Sequence, residues 1–411
     1  MWRCSGWLVA VAVAIATAGG LVARGHTPIA SRWTYNEHLF PIFRENCGAC
    51  HLEGGIAPMS LLTYQEAFPW AQSIREEVLG LRMPPWKAED GFGDFKNGHA
   101  LPAHEMDMIL EWSSGGYPRG PRDMQLDTVN TTSLWHFGEP TLTLEMPEPV
   151  SLDANTNETV RYFVLPSGTS TERWITAIDF QPDASAIVRG VAVYIDTSAV
   201  AKELDTADAD PGFAPIDEQV FPTAAPVALW SPGQPPVMQN GDGYRLPAGA
   251  DFVVRIHYKK TWITEGQAFS DQSRIGVHLA SGNARPIESV LVSSPDTLTG
   301  TQVSFTHEIE RDTSVLALLP EIEIDATDVR VVALTPNGDR VPMLFIRELG
   351  TEWPTRYWFD TPVDLPQGTE VEVSAVLAPA AEHMPGRSLF GGNVTAPIRL
   401  LLDFTTGGAA N

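Results

Sequence analysis

Hydrophobic positions along the chain change rhythm near residue 118. Between 33 and about 117, apolar side chains recur at three- and four-residue intervals, the period of an amphipathic helix. Leu39, Phe40 and Phe43 mark one face of a predicted helix over 36–46. Phe68, Ala71, Ile74, Val78 and Leu81 mark a second over 64–81, and Met106, Ile109, Leu110 and Ser113 a third over 103–113. Tyr117-Pro118-Arg119-Gly120-Pro121-Arg122 then reads as a linker. From about 134 the rhythm shortens to strand-like alternation. It predicts strands at 160–165, 174–180, 186–195, 252–258, 315–319, 329–334, 369–377 and 398–404, separated by turns such as Pro336-Asn337-Gly338-Asp339.

The expected architecture is multidomain: a small all-α domain at 33–117, a linker at 118–133, and two all-β sandwiches in tandem at 134–285 and 286–411. The length of 411 residues fits two or three domains. Abundant glycine and proline, 34 and 33 residues, favour a turn-rich β architecture. No short repeat and no low-complexity tract interrupts the chain.

Charge narrows the function classes. A net charge of −24 argues against nucleic acid, whose phosphates would repel this surface. An acidic surface can steer a basic partner during encounter, or serve solubility alone. Residues 1–25 read as an export signal, with Arg3 ahead of an apolar run from Trp7 to Ala18 and small residues at Ala16-Thr17-Ala18. The run extends to Ala23, which leaves an uncleaved membrane anchor open. Either reading places the rest of the chain outside the cytoplasm, in the periplasm or beyond.

The chemistry concentrates in Cys47-Gly48-Ala49-Cys50-His51. Only three cysteines are present, and Cys4 falls in the signal segment. A Cys-x-x-Cys-His run is the signature of c-type haem attachment. The two thiols add to the haem vinyl groups, and the next histidine lies under the iron as proximal ligand. A zinc site would need further ligands, and no second cysteine pair exists. A distal methionine would suit electron transfer. Met83, in Arg82-Met83-Pro84-Pro85-Trp86, is the preferred candidate, and Met59, eight residues after His51, is the alternative. Trp70, Trp86 and Trp112 are candidate walls of the haem pocket, a role hard to separate from ordinary core packing.

These residues carry a resemblance. Asn46-Cys47-Gly48-Ala49-Cys50-His51, Ala57-Pro58-Met59-Ser60-Leu61, Pro69-Trp70-Ala71, Met83-Pro84-Pro85-Trp86 and Glu111-Trp112 resemble a family of bacterial periplasmic cytochromes c. In that family the cytochrome is often fused to a domain similar to the copper type II, ascorbate-dependent monooxygenases, of which the peptidylglycine-hydroxylating enzyme is a member. The resemblance implies a small all-α cytochrome c domain followed by two tandem jelly-roll sandwiches. It also implies copper ligands, which this chain mostly lacks. Where a His-His pair is implied the chain reads Ile187-Val188-Arg189-Gly190-Val191, and where His-x-His is implied it reads Glu321-Ile322-Glu323. His257 is the one candidate that remains, and a single imidazole cannot build either copper site. Glu321 and Glu323 could bind Ca²⁺ weakly or form a solvated acidic face.

The expected function is therefore a periplasmic c-type cytochrome carrying one covalent haem, with no copper and no catalytic residues expected. It would exchange electrons with a redox partner protein, and the β module would serve docking or assembly. Two alternatives stay open: a haem-coupled monooxygenase-like oxidoreductase with an altered metal site, and a haem subunit of a larger membrane redox complex.

Overall fold

The computed structural model describes residues 30–96, 98, 100–127, 135–215, 221–222, 224–295, 300–322, 325–350, 353–378, 388–390, 396 and 398–406. The signal reading at 1–25 and the last part of the expected linker lie outside them, as does Glu323.

The helical segments form where the sequence period is unbroken and stop where proline or glycine intervenes. A π-helical turn at Tyr35–Leu39 runs directly into the helix Phe40–Asn46. Leu39 and Phe43 stack one turn apart and are buried with Tyr35 and Ile42. The predicted helix over 64–81 is broken. Tyr64–Ala67 starts on the Thr63 side chain, which accepts from Glu66 N–H. A single 3₁₀ turn, Phe68–Trp70, follows, and then the helix Ala71–Leu79. Pro69 has no N–H to donate back up the helix, which accounts for the break. Phe68 leaves the buried face at this break and Leu81 lies past the helix end with a φ of 53°; both are exposed, whereas Ala71, Ile74 and Val78 stay buried. The helix Ala103–Ser114 closes the cluster with Ile109 and Trp112.

The expected all-α domain at 33–117 is corrected by this structure. Among the described residues the protein is mostly β, with 39% in strands and 14% in helices, and they contain no substantial all-α domain. The helices run only four to twelve residues. Between them, residues 81–101 leave the helices and join the β part. Single bridges pair Ala88 with Ile346 and Phe95 with Phe359. Glu89 N–H donates to Phe345 C=O at 2.8 Å, and Lys96 N–H to Trp358 C=O at 2.8 Å. Pro84, Pro85, Gly91 and Gly93 exclude a continuous helix here. Trp86 and Phe95 instead pack their rings against Tyr357.

Nineteen strands follow among the described residues. The first eleven are β1 (Leu142–Glu145), β2 (Val150–Leu152), β3 (Glu158–Pro166), β4 (Arg173–Gln181), β5 (Val188–Asp196), β6 (Ala228–Trp230), β7 (Asp242–Leu246), β8 (Asp251–Lys259), β9 (Phe269–Asp271), β10 (Arg274–Leu279) and β11 (Arg285–Pro286). They build one sandwich. A sheet ordered β1-β10-β4-β7-β11 faces a sheet ordered β3-β8-β5-β6, with β2 and β9 paired beside them. Alternate residues of β8, Phe252, Val254, Ile256 and Tyr258, point into the core between the sheets.

The last eight strands are β12 (Glu288–Ser293), β13 (Gln302–Glu308), β14 (Thr313–Ile322), β15 (Ala326–Leu334), β16 (Arg340–Leu349), β17 (Tyr357–Leu365), β18 (Glu370–Leu377) and β19 (Ile398–Thr406). They build a second sandwich, with sheets β12-β19-β14-β17 and β13-β18-β15-β16. Its core includes Val315, Leu318, Val331, Ile346, Val373 and Leu400. The two sandwiches share a third apolar cluster, in which Tyr162, Tyr194 and Val253 meet Leu319, Phe390 and Leu401. Arg356 pins the same junction, with partners in both sandwiches. It pairs with Asp403 of β19 at 3.2 Å and donates to the backbone carbonyls of Pro226 and Val227.

Candidate cofactor site

Cys47 caps the helix Phe40–Asn46, its N–H donating to Phe43 C=O at 2.9 Å. The turn then continues. Cys50 and His51 N–H both donate to Cys47 C=O, at 3.1 and 2.8 Å. Cys47, Cys50 and His51 thus stand one turn apart, the spacing that puts side chains on a common face. Gly48 is required inside this turn, because a Cβ there would lie 2.6 Å from Arg44 C=O. Both cysteines are free thiols and half-buried. Burial, with Cys50 and Glu105 adding to it, pushes the Cys47 thiol up to about 12. Burial pushes Cys50 up to about 11, and the Arg189 charge opposes it there.

The His51 ring is oriented by a single bond. Its Nδ1 lies 3.0 Å from Met59 C=O. A carbonyl only accepts, so Nδ1 carries the proton and the Nε2 lone pair is left available, as an iron ligand requires. Burial lowers the His51 pKa, which keeps the ring neutral near pH 7. The loop that supplies Met59 is itself held. Ala57 N–H donates to Cys50 C=O at 3.2 Å, Leu61 N–H to His51 C=O at 3.0 Å, and Tyr35 OH to Leu61 C=O at 2.6 Å. Met59 packs its side chain on the helical core.

Met83 lies elsewhere. It is 38% exposed and lines a cleft of about 240 Å³ with Trp86, Lys87, Leu101, Met106 and Arg347, between the helices and the second sandwich. The helix Ala103–Ser114 connects that cleft to the cysteines. Met106 faces the cleft and also packs on the helical core, which Cys47 touches too. Beside it, Glu105 accepts from Asn46 Nδ2 at 3.0 Å.

The three tryptophans occupy three different settings. Trp112 is fully buried among Tyr35, Phe43 and Tyr117 and donates Nε1–H to Pro118 C=O at 3.2 Å. Trp70 sits at the edge of the helical core, its ring 6.4 Å from that of Trp262. Trp86 belongs to the aromatic group of Phe95 and Tyr357 while lining the Met83 cleft. Cys47, Cys50, His51 and Met59 are therefore brought together, with Trp112 behind them through Phe43. Met83 and Trp86 share the separate cleft.

Residues of the first sandwich complete the surroundings of the motif, and sequence reasoning missed them. Ser185 Oγ donates to Gly54 C=O at 3.1 Å. A Cβ on Gly233 would lie 3.2 Å from Cys50 Sγ and 3.8 Å from Ala49 Cβ. Ser231-Pro232-Gly233-Gln234-Pro235-Pro236 is legible as a turn, but nothing local to it says what it touches.

The residues considered as other metal ligands have different partners. His257 Nε2 lies 2.8 Å from Glu158 Oε1 across the β3–β8 pair. Glu321 is not on a solvated face: it takes the buried Arg399 guanidinium and the Leu389 N–H. Among the described residues, no three His, Cys, Asp or Glu side chains converge as a metal-ion site. No helix among them is long and apolar enough to cross a membrane.

No family model and no curated protein sequence matches this chain. Solved structures align with it only loosely. A two-domain protein of unknown function from Bacteroides fragilis is 12% identical over 60% of this chain and 85% of its own, at a TM-score of 0.17. The PBCV-1 virus capsid is 7% identical over 68% of this chain and 96% of its own, at 0.24. Scores this low do not mark a shared fold.

Proposed function

We propose that the protein is an exported one-electron carrier with a single haem c, joined through Cys47 and Cys50 and ligated at iron by His51. The observation that carries this reading is the His51 hydrogen bond to Met59 C=O, which leaves the Nε2 lone pair for a ligand beside Cys50 and one turn from Cys47. These residues fit the group: a neutral, oriented imidazole, two unpaired thiols on the same turn, and an apolar helical core behind them. Bound haem would supply reversible Fe(II)/Fe(III) exchange. The chain's own part is to hold the ring tautomer, to exclude water with Phe43 and Trp112 packed behind the turn, and to place the distal ligand.

Met83 is the distal ligand in this reading. The Met59 backbone is committed to His51 Nδ1, whereas Nε2 is the atom that would hold the iron. Met83 is exposed and lines the cleft that Met106 also lines, and Met106 packs on the same helical core as Cys47. The acidic surface favours a basic redox partner, and the sandwiches would serve as its docking or assembly module.

The test is direct. Protein exported by a host with haem-attachment machinery should carry one haem that survives acid–organic extraction and adds its mass to the chain. Cys47→Ser with Cys50→Ser should release it completely. A wild-type chain of apoprotein mass with no visible absorption would sink the reading.

A further inference from the structure

We propose that Arg189 is a positioning residue for this redox site: a fixed positive charge, delivered by the first sandwich to the Cys50 side of the haem, that holds its reduction potential up. The inference rests on the proposed function and deepens it.

The argument begins with a break in register. Along β5, Val188 pairs with Tyr258 of β8 and Gly190 with the adjacent His257, so Arg189 is one residue more than the register of β8 accommodates. Such a bulge re-aims one side chain and increases local twist. The consequence is visible in the core: Val188 and Val191, three apart, both point inward, whereas a regular strand alternates. Arg189 is thereby turned out of the ladder. Its guanidinium stacks 4.9 Å over the ring of Trp353, which precedes β17 of the second sandwich.

The bulge also lies against the loop that covers Cys50. A Cβ on Gly190 would lie 3.7 Å from Trp230 C=O and 3.8 Å from Ser231 Oγ. Two residues further along the same loop, Gly233 sits on Cys50 Sγ and Ala49. Gln234 of this loop donates to Thr355 Oγ1 at 2.8 Å, which ties it to the segment carrying Trp353. Arg189, Trp353, Gly233 and Cys50 therefore form one junction of the haem-binding turn with both sandwiches.

The electrostatics follow from the charge balance. Oxidised haem carries one more positive charge than reduced haem, so a nearby fixed cation disfavours the oxidised state. Arg189 and Cys50 are both half-buried, and screening between such groups is weaker than between exposed ones. Nearby charge and burial are among the means by which a protein sets a haem potential.

Redox titration of the purified holoprotein, followed by its visible spectrum, tests this. Arg189→Met should lower the ratio of reduced to oxidised haem at the wild-type midpoint by about threefold or more, the effect of one charge at partly screened range. Arg189→Gln should do the same, and it provides a second neutral variant should Met disturb the fold. Arg189→Lys should retain most of the wild-type potential. Haem bound normally with an unchanged midpoint in both neutral variants would overturn the inference and leave the proposed function standing. An equal fall in the Lys variant would also overturn it, since packing and not charge would then be responsible. Absence of haem from the wild type would overturn the proposed function itself.

Discussion

A single proton, the one on His51 Nδ1, divides the two candidate methionines. Because Met59 C=O accepts it, Met59 is bound into the support of the proximal ring. Its side chain contributes to packing, and Met83 is the proposed thioether donor. Met83→Ala should abolish the weak long-wavelength band of thioether-ligated oxidised haem, while Met59→Ala should keep it and lose some stability, about 1–2 kcal/mol for a partly buried methionine. Retention of the band in Met83→Ala would reverse the assignment. At this scale the candidate site was partly legible. The spacing of Cys47, Cys50 and His51 follows from bond chemistry along a few residues. The hydrogen bond to Met59 depends on the path of an eight-residue loop, and no local pattern encodes that path.

Among elements, the segment from Leu81 to Leu101 changes the architecture most. Its prolines and glycines are readable as an end to helix, yet its destination is not. Trp86 and Phe95 settle on Tyr357, and Ala88 and Phe95 add bridges at the edge of the second sandwich. Trp86→Ala should lower the thermal midpoint, at about 2 kcal/mol, less than the loss from truncating a fully buried tryptophan. An unchanged midpoint would show that the ring does not anchor the segment. The strands are the opposite case. Alternation in β3, β4, β8 and β15 reflects faces buried between sheets, and a period of two survives translation from sequence to structure. The bulge at Arg189 does not: one inserted residue shifts the inward positions by one, and only the partner strand reveals it.

Across the whole molecule, the junction of the two sandwiches is the most demanding feature. Arg356 and Asp403 are both almost wholly buried, 3% and 0% exposed. Burial raises the Asp403 pKa, and the Arg356 charge works against that rise. Arg356→Ala would leave the carboxylate buried without its cation and leave the Pro226 and Val227 carbonyls without their donor. The expected loss is about 3–5 kcal/mol, measured by denaturant unfolding. Arg356→Ala with Asp403→Ala should lose less than the sum of the two single changes, because each single change strands a charge. Additive losses would show that the pair is not coupled.

What the sequence determined by itself is the local and periodic content. The Cys-x-x-Cys-His turn, the helix positions Ala71, Ile74 and Val78 and the strand alternation all depend on neighbours within about one turn or one strand, whereas the break of the 64–81 helix at Pro69 emerged only in the structure. The tertiary structure alone decided that the described residues form no separate all-α domain, that Trp86 serves the second sandwich, that Gly233 borders Cys50, and that Arg189 reaches Trp353. Each of these joins residues more than a hundred positions apart, through burial of rings and charges whose partners lie on other elements. Such contacts leave no period in the chain. They arise only when the sheets have closed.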